Sequence, residues 1–144
     1  MSQQLKTPTL IDVRGPRFSA AITVIVLAIA LATQSAWVLA FQAVVFAIGA
    51  IRGPQFTPYA FIFKRVVKPL LRGEVVTEDS RPPQFAQTVG FLFALVGLLG
   101  AAIGSVPVFS IAVGFALAAA FLNSVFNYCL GCEMYLLVLR IRTR

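Results

Sequence analysis

The chain has 144 residues, of which 59% are hydrophobic and 12% charged, and its mean hydropathy is +0.89. A soluble domain carries about 25% charged residues, so this composition excludes a water-soluble globular domain and indicates a single integral membrane domain. The chain has no histidine and only 5 carboxylates, which disfavours His-based acid–base catalysis and a carboxylate-rich metal site. No cofactor is predicted. Two cysteines allow at most one disulfide within the chain, so a secreted fold held together by several disulfides is not expected.

Two long stretches without charge, 18–51 and 82–132, indicate where the chain crosses the bilayer. Each has a polar or helix-breaking point near its middle, at Thr33-Gln34-Ser35 and at Gly104-Ser105 before Pro107. The predicted fold is all-α, with four transmembrane helices at about 17–33, 36–51, 85–104 and 107–127. The first hairpin has helices shorter than the roughly 20 residues that a span needs, so a re-entrant hairpin is the alternative.

All 12 basic residues lie outside these two stretches. An even number of spans places the N-terminus, the central segment and the C-terminus on one face, which the positive-inside rule makes cytoplasmic. We therefore predict a multi-pass membrane protein with both termini in the cytoplasm. The net charge of +7 then reflects topology and attraction to anionic headgroups, and no nucleic-acid partner is predicted.

The pattern D-x-R-x-P-x-F begins at Asp12 and again at Asp79, each time before a predicted pair of helices. This indicates two parallel repeats related by a pseudo-two-fold axis along the membrane normal. Aspartate and proline suit a helix N-terminus, so a duplicated helix cap is favoured over a binding motif. Within one domain, 1–144, the predicted parts are repeat 1 (about 12–54), an interfacial helix and loop (about 55–78), repeat 2 (about 79–132) and a basic tail (about 133–144).

The segment 59–72 is predicted to be a basic amphipathic helix in the headgroup plane, ended or kinked at Pro69. Its apolar face comprises Tyr59, Ile62, Phe63, Val66, Val67 and Leu70. Its basic face comprises Lys64, Arg65, Lys68 and Arg72. Docking of an acidic soluble partner is the alternative function of these cations. A solvated, turn-rich loop is expected at Glu74, Glu78 and Asp79.

Small and polar residues within the apolar stretches indicate how the helices pack. Close helix approach, within the chain or in a homo-oligomer, is expected at Gly97, Gly100 and Gly104. Amides are expected to face the bundle interior and to bond between helices at Gln42, Gln87, Asn123 and Asn127. No charged residue lies at mid-membrane, which argues against a proton pump and against an acidic ion channel.

Two residues stand between Cys129 and Cys132, a spacing that can bring their sulfurs within disulfide reach. They lie at the predicted cytoplasmic end of the fourth helix, where Gly131 is expected to bend the chain. If a new helix begins after Gly131, its N-terminus stabilises the thiolate of Cys132 and not that of Cys129. Glu133 opposes a thiolate by its charge. The neighbours expected to orient the site are Asn127 and Tyr128.

Two interpretations of this pair stay open. The spacing alone fits a redox-active or sulfur-carrying dithiol and a pair of small packed residues equally well. A permanent structural disulfide is not expected in a reducing cytosol, which favours function. Zinc needs four ligands, so a metal would have to be shared across a homodimer, and none is predicted.

The chain resembles the bacterial membrane-protein family known as domain of unknown function 4395, over nearly its whole length. The resemblance rests on D-x-R-G-P-R-F at 12–18, on Glu78-Asp79 with R-P-P-Q-F-A-Q at 81–87, and on Phe126-Asn127 leading into C-L-G-C-E at 129–133 and Tyr135. Members of this family are often encoded beside thioredoxin-like and rhodanese-type sulfurtransferase proteins. The resemblance therefore implies thiol or sulfur chemistry by association and no specific activity.

The leading hypothesis is an inner-membrane protein whose Cys129/Cys132 dithiol exchanges electrons or a sulfane sulfur with a thioredoxin-like or rhodanese-type partner. The first alternative is a non-catalytic membrane scaffold that binds partners through 59–72. The second is a small transporter of a sulfur anion such as thiosulfate. Whether the chain is an enzyme is left open at this point.

Overall fold

The structure is a computed structural model that describes residues 10–70, 77–126 and 128–142. Its helices are α1 (Arg14–Thr33), α2 (Ala36–Ile51), α3 (Pro58–Ile62), α4 (Arg81–Ala102), α5 (Val106–Phe126) and α6 (Leu130–Arg142). Two short strands are β1 (Leu10–Asp12) and β2 (Thr77–Asp79). The predicted all-α class is confirmed, and the four long helices lie close to their predicted bounds.

Three of these helices, α1, α4 and α5, are long and apolar enough to cross a membrane. Helix α2 is apolar but has only 16 residues. Many large apolar side chains of the long helices are exposed on the outside of the bundle, as expected for a lipid-facing surface; Leu99 and Phe115, for example, are each 61% exposed. Length and composition thus indicate a membrane protein.

The turns of the two hairpins are closed in the same way. Gln34 and Gly104 take left-handed backbone conformations, with φ of 52° and 74°. Ser35 and Ser105 come directly after them, and each hydroxyl accepts the backbone N–H three residues further along at 3.3 Å. In each turn, a residue in the left-handed conformation ends one helix and the serine cap that follows it begins the next.

The helices pack in a crossed arrangement, α1 on α5 and α2 on α4, with α4 also against α5. The shared core contains Leu27, Leu39, Phe46, Phe109 and Val113, all at most 7% exposed. Two predicted close approaches occur within the chain: a Cβ on Gly97 would meet Leu39 Cδ2 at 2.7 Å, and one on Gly100 would meet Phe109 N at 2.8 Å. Gly104 serves the turn instead.

The short segments that lead into the two D-x-R-x-P-x-F motifs, β1 and β2, pair as antiparallel strands, which sequence reasoning did not predict. Leu10 pairs with Asp79, Ile11 with Glu78 and Asp12 with Thr77. The turn-rich loop expected at Glu78 and Asp79 is therefore wrong, because their backbone pairs with the strand that opens the first motif. Glu74 lies outside the described residues.

Asp12 also fixes the start of α1. Its carboxylate accepts the backbone N–H of Arg14 at 3.0 Å and the Arg14 guanidinium at 3.0 and 2.8 Å. The side-chain hydrogen bond from Arg14 lowers the pKa of Asp12 below its usual value, and Lys68 Nζ, at 4.0 Å, contributes. In this copy the motif acts as a helix-entry device, as the sequence suggested.

Two further bonds place the termini of the long helices at one end of the bundle. Arg17 near the start of α1 donates to Ser124 O near the end of α5 at 3.1 Å. Gln84 near the start of α4 donates to Ala50 O near the end of α2 at 2.8 Å. This end, which we call the basic end, carries the cations Arg14, Arg17, Arg52 and Arg81.

After α2 the chain folds against the basic end as three short helical pieces rather than one amphipathic helix. Helix α3 is followed by a π-helical turn at Phe63–Val67 and a 3₁₀ turn at Lys68–Leu70. Tyr59 and Phe63 are buried, but Val66 and Leu70 are 58% and 78% exposed. The wider π-helical turn rotates these later residues away from the face that Tyr59 and Phe63 bury against the bundle.

Tyr59 joins this segment to the bundle interior. Its hydroxyl donates to Gln42 Oε1 at 2.7 Å, and Gln42 is fully buried in α2. Burial raises the pKa of Tyr59 to about 12. Gln42 thus faces the interior as predicted, although its Nε2 is buried without a hydrogen-bond partner, as is Gln87 Oε1.

Candidate functional site

The cysteine pair lies in the bend between α5 and α6 at the basic end. Helix α5 ends at Phe126, and Tyr128 N–H donates back to Leu122 O at 3.1 Å. Helix α6 begins at Leu130. The predicted bend is therefore present, but it precedes Gly131 instead of occurring at it. Asn127, predicted to orient the site, lies outside the described residues.

Cys129 and Cys132 are joined by a disulfide, with their Cα atoms 5.1 Å apart. The predicted disulfide reach between the two sulfurs is confirmed. Both residues are partly exposed, so the bond is accessible from outside the bundle.

Cys129 occupies the N-cap position of α6. The Cys132 N–H donates to Cys129 Sγ at 3.1 Å, and the Glu133 N–H donates to Cys129 O at 3.0 Å. The condition under which the helix start would favour Cys132, a helix that begins after Gly131, is not met, because α6 begins at Leu130, directly after Cys129. A thiolate on Cys129 would receive both the hydrogen bond and the positive end of the helix dipole.

Contacts with the start of α4 hold the site in place. Gly131 is buried against Ala86: a Cβ on it would lie 2.5 Å from both Ala86 Cα and Cβ. The rings of Phe85 and Tyr135 are 5.6 Å apart at their centroids. Sequence reasoning missed these positioning contacts because Gly131 and Ala86 are distant in the chain and their close approach leaves no local signal. The predicted start of α4 at residue 85 was also late, since the two prolines after Arg81 suit a helix start four residues earlier.

Side chains on the outer side of the pair are exposed. Tyr128, Leu130 and Met134 are 47%, 37% and 47% exposed, and the Glu133 side chain is exposed in the first turn of α6. In the described part of the chain, no group of three or more His, Cys, Asp or Glu residues is placed to hold a metal ion. The groups that this site offers for covalent chemistry are the two sulfurs.

The basic residues predicted to bind a membrane surface or a partner lie on the segment after α2. Lys64, Arg65 and Lys68 are exposed, whereas Arg72 lies outside the described residues. Lys64 donates to Gln55 O at 3.0 Å and lies over the Phe61 ring at 5.7 Å. This segment packs on α1, whereas the cysteine pair packs on α4, so the two candidate sites occupy different sides of the basic end.

The family model described as Domain of unknown function (DUF4395) matches residues 11–140. The chain belongs to this family. The resemblance inferred from the two motifs and the cysteine pair is thereby confirmed. No curated protein and no solved structure matches the chain. The DUF4395 match includes β1 from its second residue, all of β2, all six helices except the end of α6, and both cysteines.

Proposed function

We propose that this protein is a thiol–disulfide exchange protein of the bacterial inner membrane, in which Cys129 is the attacking thiol and Cys132 the resolving thiol. The observation that carries this proposal is the hydrogen bond from Cys132 N–H to Cys129 Sγ at the start of α6. The proposed partner is a cytoplasmic thioredoxin-like or rhodanese-type protein. Tyr128 and Glu133 flank the pair, and Glu133 keeps the thiolate of Cys129 from becoming too stable to react.

In the exchange with a reduced dithiol partner, two electrons pass to this chain. The partner's thiolate attacks Cys129 Sγ, the Cys129–Cys132 bond breaks, and Cys132 leaves as a thiolate that takes up a proton. The partner's second thiolate then attacks its own sulfur in the mixed disulfide and releases Cys129 as a thiolate. The Cys132 N–H stabilises this leaving thiolate, and the reverse sequence returns the electrons.

In the exchange with a persulfide partner, the reduced pair accepts sulfane sulfur. The Cys129 thiolate attacks the outer sulfur of the partner's persulfide, so Cys129 becomes the persulfide and the partner leaves as a thiolate. The Cys132 thiolate then attacks the Cys129 Sγ, which forms the disulfide and releases hydrosulfide. Atoms and electrons balance with no further reagent.

The proposed topology has four spans, with both termini and the basic end in the cytoplasm. Helix α2, roughly 24 Å long at about 1.5 Å per residue, crosses a hydrocarbon core of about 30 Å by local thinning. A pseudo-two-fold repeat is supported by the symmetric strand register: exchange of the two motifs interchanges the two outer pairs and maps the central pair, Ile11 with Glu78, onto itself. Arg17 and Gln84 support it as well. These residues occupy the same motif position and bond to the opposite hairpin.

A redox titration of the pair in native membranes, followed by maleimide gel shift, tests this function. We expect one reversible two-thiol transition near the thioredoxin potential of about −270 mV. An impermeant maleimide should reach the reduced thiols only from the cytoplasmic side. A pair that keeps one redox state across the titrated range, or that reacts from the other side, would overturn the proposal.

A scaffold function is the second candidate, and the exposed Lys64, Arg65 and Lys68 favour it. Under this hypothesis, charge reversal of the three residues abolishes capture of the partner, and the Cys129→Ser/Cys132→Ser variant retains it. Under the exchange hypothesis, the cysteine variant loses covalent capture of the partner. The two variants, compared in one pull-down, therefore separate the functions.

A further inference from the structure

Two apolar grooves run along the outside of the bundle. The α2/α4 groove has a volume of about 450 Å³ and is lined by Val44, Ile48 and Phe91 among others. The α1/α5 groove has a volume of about 500 Å³ and is lined by Val24, Gly114 and Ala118 among others. Both open sideways, toward the lipid in the proposed topology.

The grooves use matching positions of the two hairpins but differ at the basic end. Counted from the capping Ser35 and Ser105, Val44 corresponds to Gly114 and Ile48 to Ala118. At the next turn Arg52 of the α2/α4 groove corresponds to Leu122 of the α1/α5 groove. One groove thus ends on a cation and the other on an apolar side chain.

The dimensions of the α2/α4 groove suit one lipid chain. Its lining runs along α2 from Ala40 to Arg52, roughly 18 Å at about 1.5 Å per residue. One leaflet contributes about half of a 30 Å hydrocarbon core. An acyl chain lying in this groove therefore places its headgroup beside Arg52.

The short length of α2 favours the binding of an anion by Arg52. A helix of 16 residues is shorter than the hydrocarbon core, so its basic end is drawn toward the acyl region. A guanidinium there is costly unless it is paired, and a phosphate accepts two parallel N–H bonds from it. The Arg52 guanidinium already lies over the Phe56 ring at 5.6 Å, which restricts its position.

We propose that the α2/α4 groove binds one anionic phospholipid, with an acyl chain against Val44 and Ile48 and its phosphate on Arg52. The α1/α5 groove is expected to hold lipid less selectively, because its lining carries no cation and the nearby Arg17 is bonded to Ser124 O. This inference rests on the proposed crossing of α2 and is independent of the cysteine chemistry.

Native mass spectrometry of the full chain tests the site, after reconstitution in nanodiscs of equal phosphatidylglycerol and phosphatidylethanolamine. We expect the released wild-type protein to retain one phosphatidylglycerol. Arg52→Leu should lower that occupancy about tenfold, as should Ala47→Phe, which fills the groove and keeps the cation. The matched control Ala118→Phe, which fills the other groove, should stay within about twofold of wild type. Arg65→Leu removes an exposed cation of the surface-binding segment and should lower the occupancy much less than Arg52→Leu does.

The outcomes separate the candidate occupants. An equal loss in Arg52→Leu and Arg65→Leu would mean general surface charge, and retention of a second copy of the chain would mean a dimer interface; either overturns the proposal. So does equal retention of the two lipids. The Cys129→Ser/Cys132→Ser variant should bind lipid as wild type does, so failure of the exchange chemistry and failure of the lipid site are distinguishable.

Discussion

After the first hairpin the chain turns back under the bundle, where Tyr59 and Phe63 are only 5% and 3% exposed. After the second hairpin it forms α6, most of whose side chains are exposed and whose start carries the disulfide. The hairpins themselves begin with the same motif and turn on the same serine cap. The two regions therefore share the hairpin and differ in the segment that follows it. The segment after the first hairpin is buried against the basic end, whereas the segment after the second is exposed and carries the two cysteines.

The largest expected losses of stability come from adding a methyl group to one of the two glycines near the ends of the hairpins, Gly131 and Gly53. Gly131→Ala places a Cβ 2.5 Å from the Ala86 backbone, so we expect the free energy of unfolding to fall by about 3 kcal/mol. Gly53→Ala should cost about 1–2 kcal/mol, because Gly53 has a φ of 116°. Thermal unfolding in detergent measures both.

Gly114→Ala is the control for these substitutions, since nothing lies within 4 Å of its Cβ position. It should leave stability unchanged or raise it by up to about 1 kcal/mol, the difference in helix propensity. A Gly131→Ala protein as stable as Gly114→Ala would mean that α6 is not held against α4, and the contrast between the two regions would fail.

Tyr59→Phe should destabilise the first region without changing the chemistry of the second. It leaves the Gln42 amide buried with neither oxygen nor nitrogen bonded, which we expect to cost about 2 kcal/mol. Adding Gln42→Leu should recover most of this loss, because both polar partners are then gone. Unfolding measurements on the single and double variants check this, and thiol exchange at Cys129 should remain at the wild-type rate.

Asp12→Asn should lower the free energy of unfolding by about 1–2 kcal/mol at pH 7, because the Asp12 carboxylate accepts hydrogen bonds from Arg14. The pKa of Asp12 is lowered in the folded state, so its contribution is fully present above the unfolded value of about 3.9 and is lost progressively as the pH falls from there through the folded-state pKa. The difference in the free energy of unfolding between wild type and variant should therefore be smaller at pH 3 than at pH 7. The exposed Glu133, changed to Gln, is the control; an undiminished difference at pH 3 would contradict the ion pair.

The smallest effects should be equal in the two hairpins. Ser35→Ala and Ser105→Ala each remove one helix cap of the same 3.3 Å geometry, worth about 1 kcal/mol. Matching losses in thermal unfolding would support equivalent turns. A cap that matters in only one hairpin would break the comparison between them.

The fold was predictable from the sequence where one local pattern decided it. Charge-free stretches located the four long helices, and Gln34-Ser35 and Gly104-Ser105 located the turns between them. The strand pair was not predictable in this way, because Ile11 and Glu78 meet only once two distant helix starts have come together. The π-helical turn after Ile62 likewise depends on how Tyr59 and Phe63 pack beneath the bundle.

The two cysteines of the candidate site were predictable from the sequence, but which of them lies at the N-terminus of α6 was not. Spacing identified Cys129 and Cys132, but which of them gains the helix terminus depends on a one-residue difference in where α6 begins. The bend was predicted at Gly131 but comes before it, because Gly131 makes the close contact with Ala86 instead. Such a close approach leaves no local signal in the sequence beyond the glycine itself.

The pH dependence of alkylation of the two single-thiol variants, reconstituted in nanodiscs, tests the central claim most directly. In Cys132→Ser the remaining Cys129 should react with iodoacetamide along a titration curve whose midpoint lies clearly below the free-thiol pKa of about 8.5. In Cys129→Ser the remaining Cys132 should titrate at or above that value. Equal midpoints, or the lower midpoint at Cys132, would contradict the assignment of Cys129 as the attacking thiol at the start of α6.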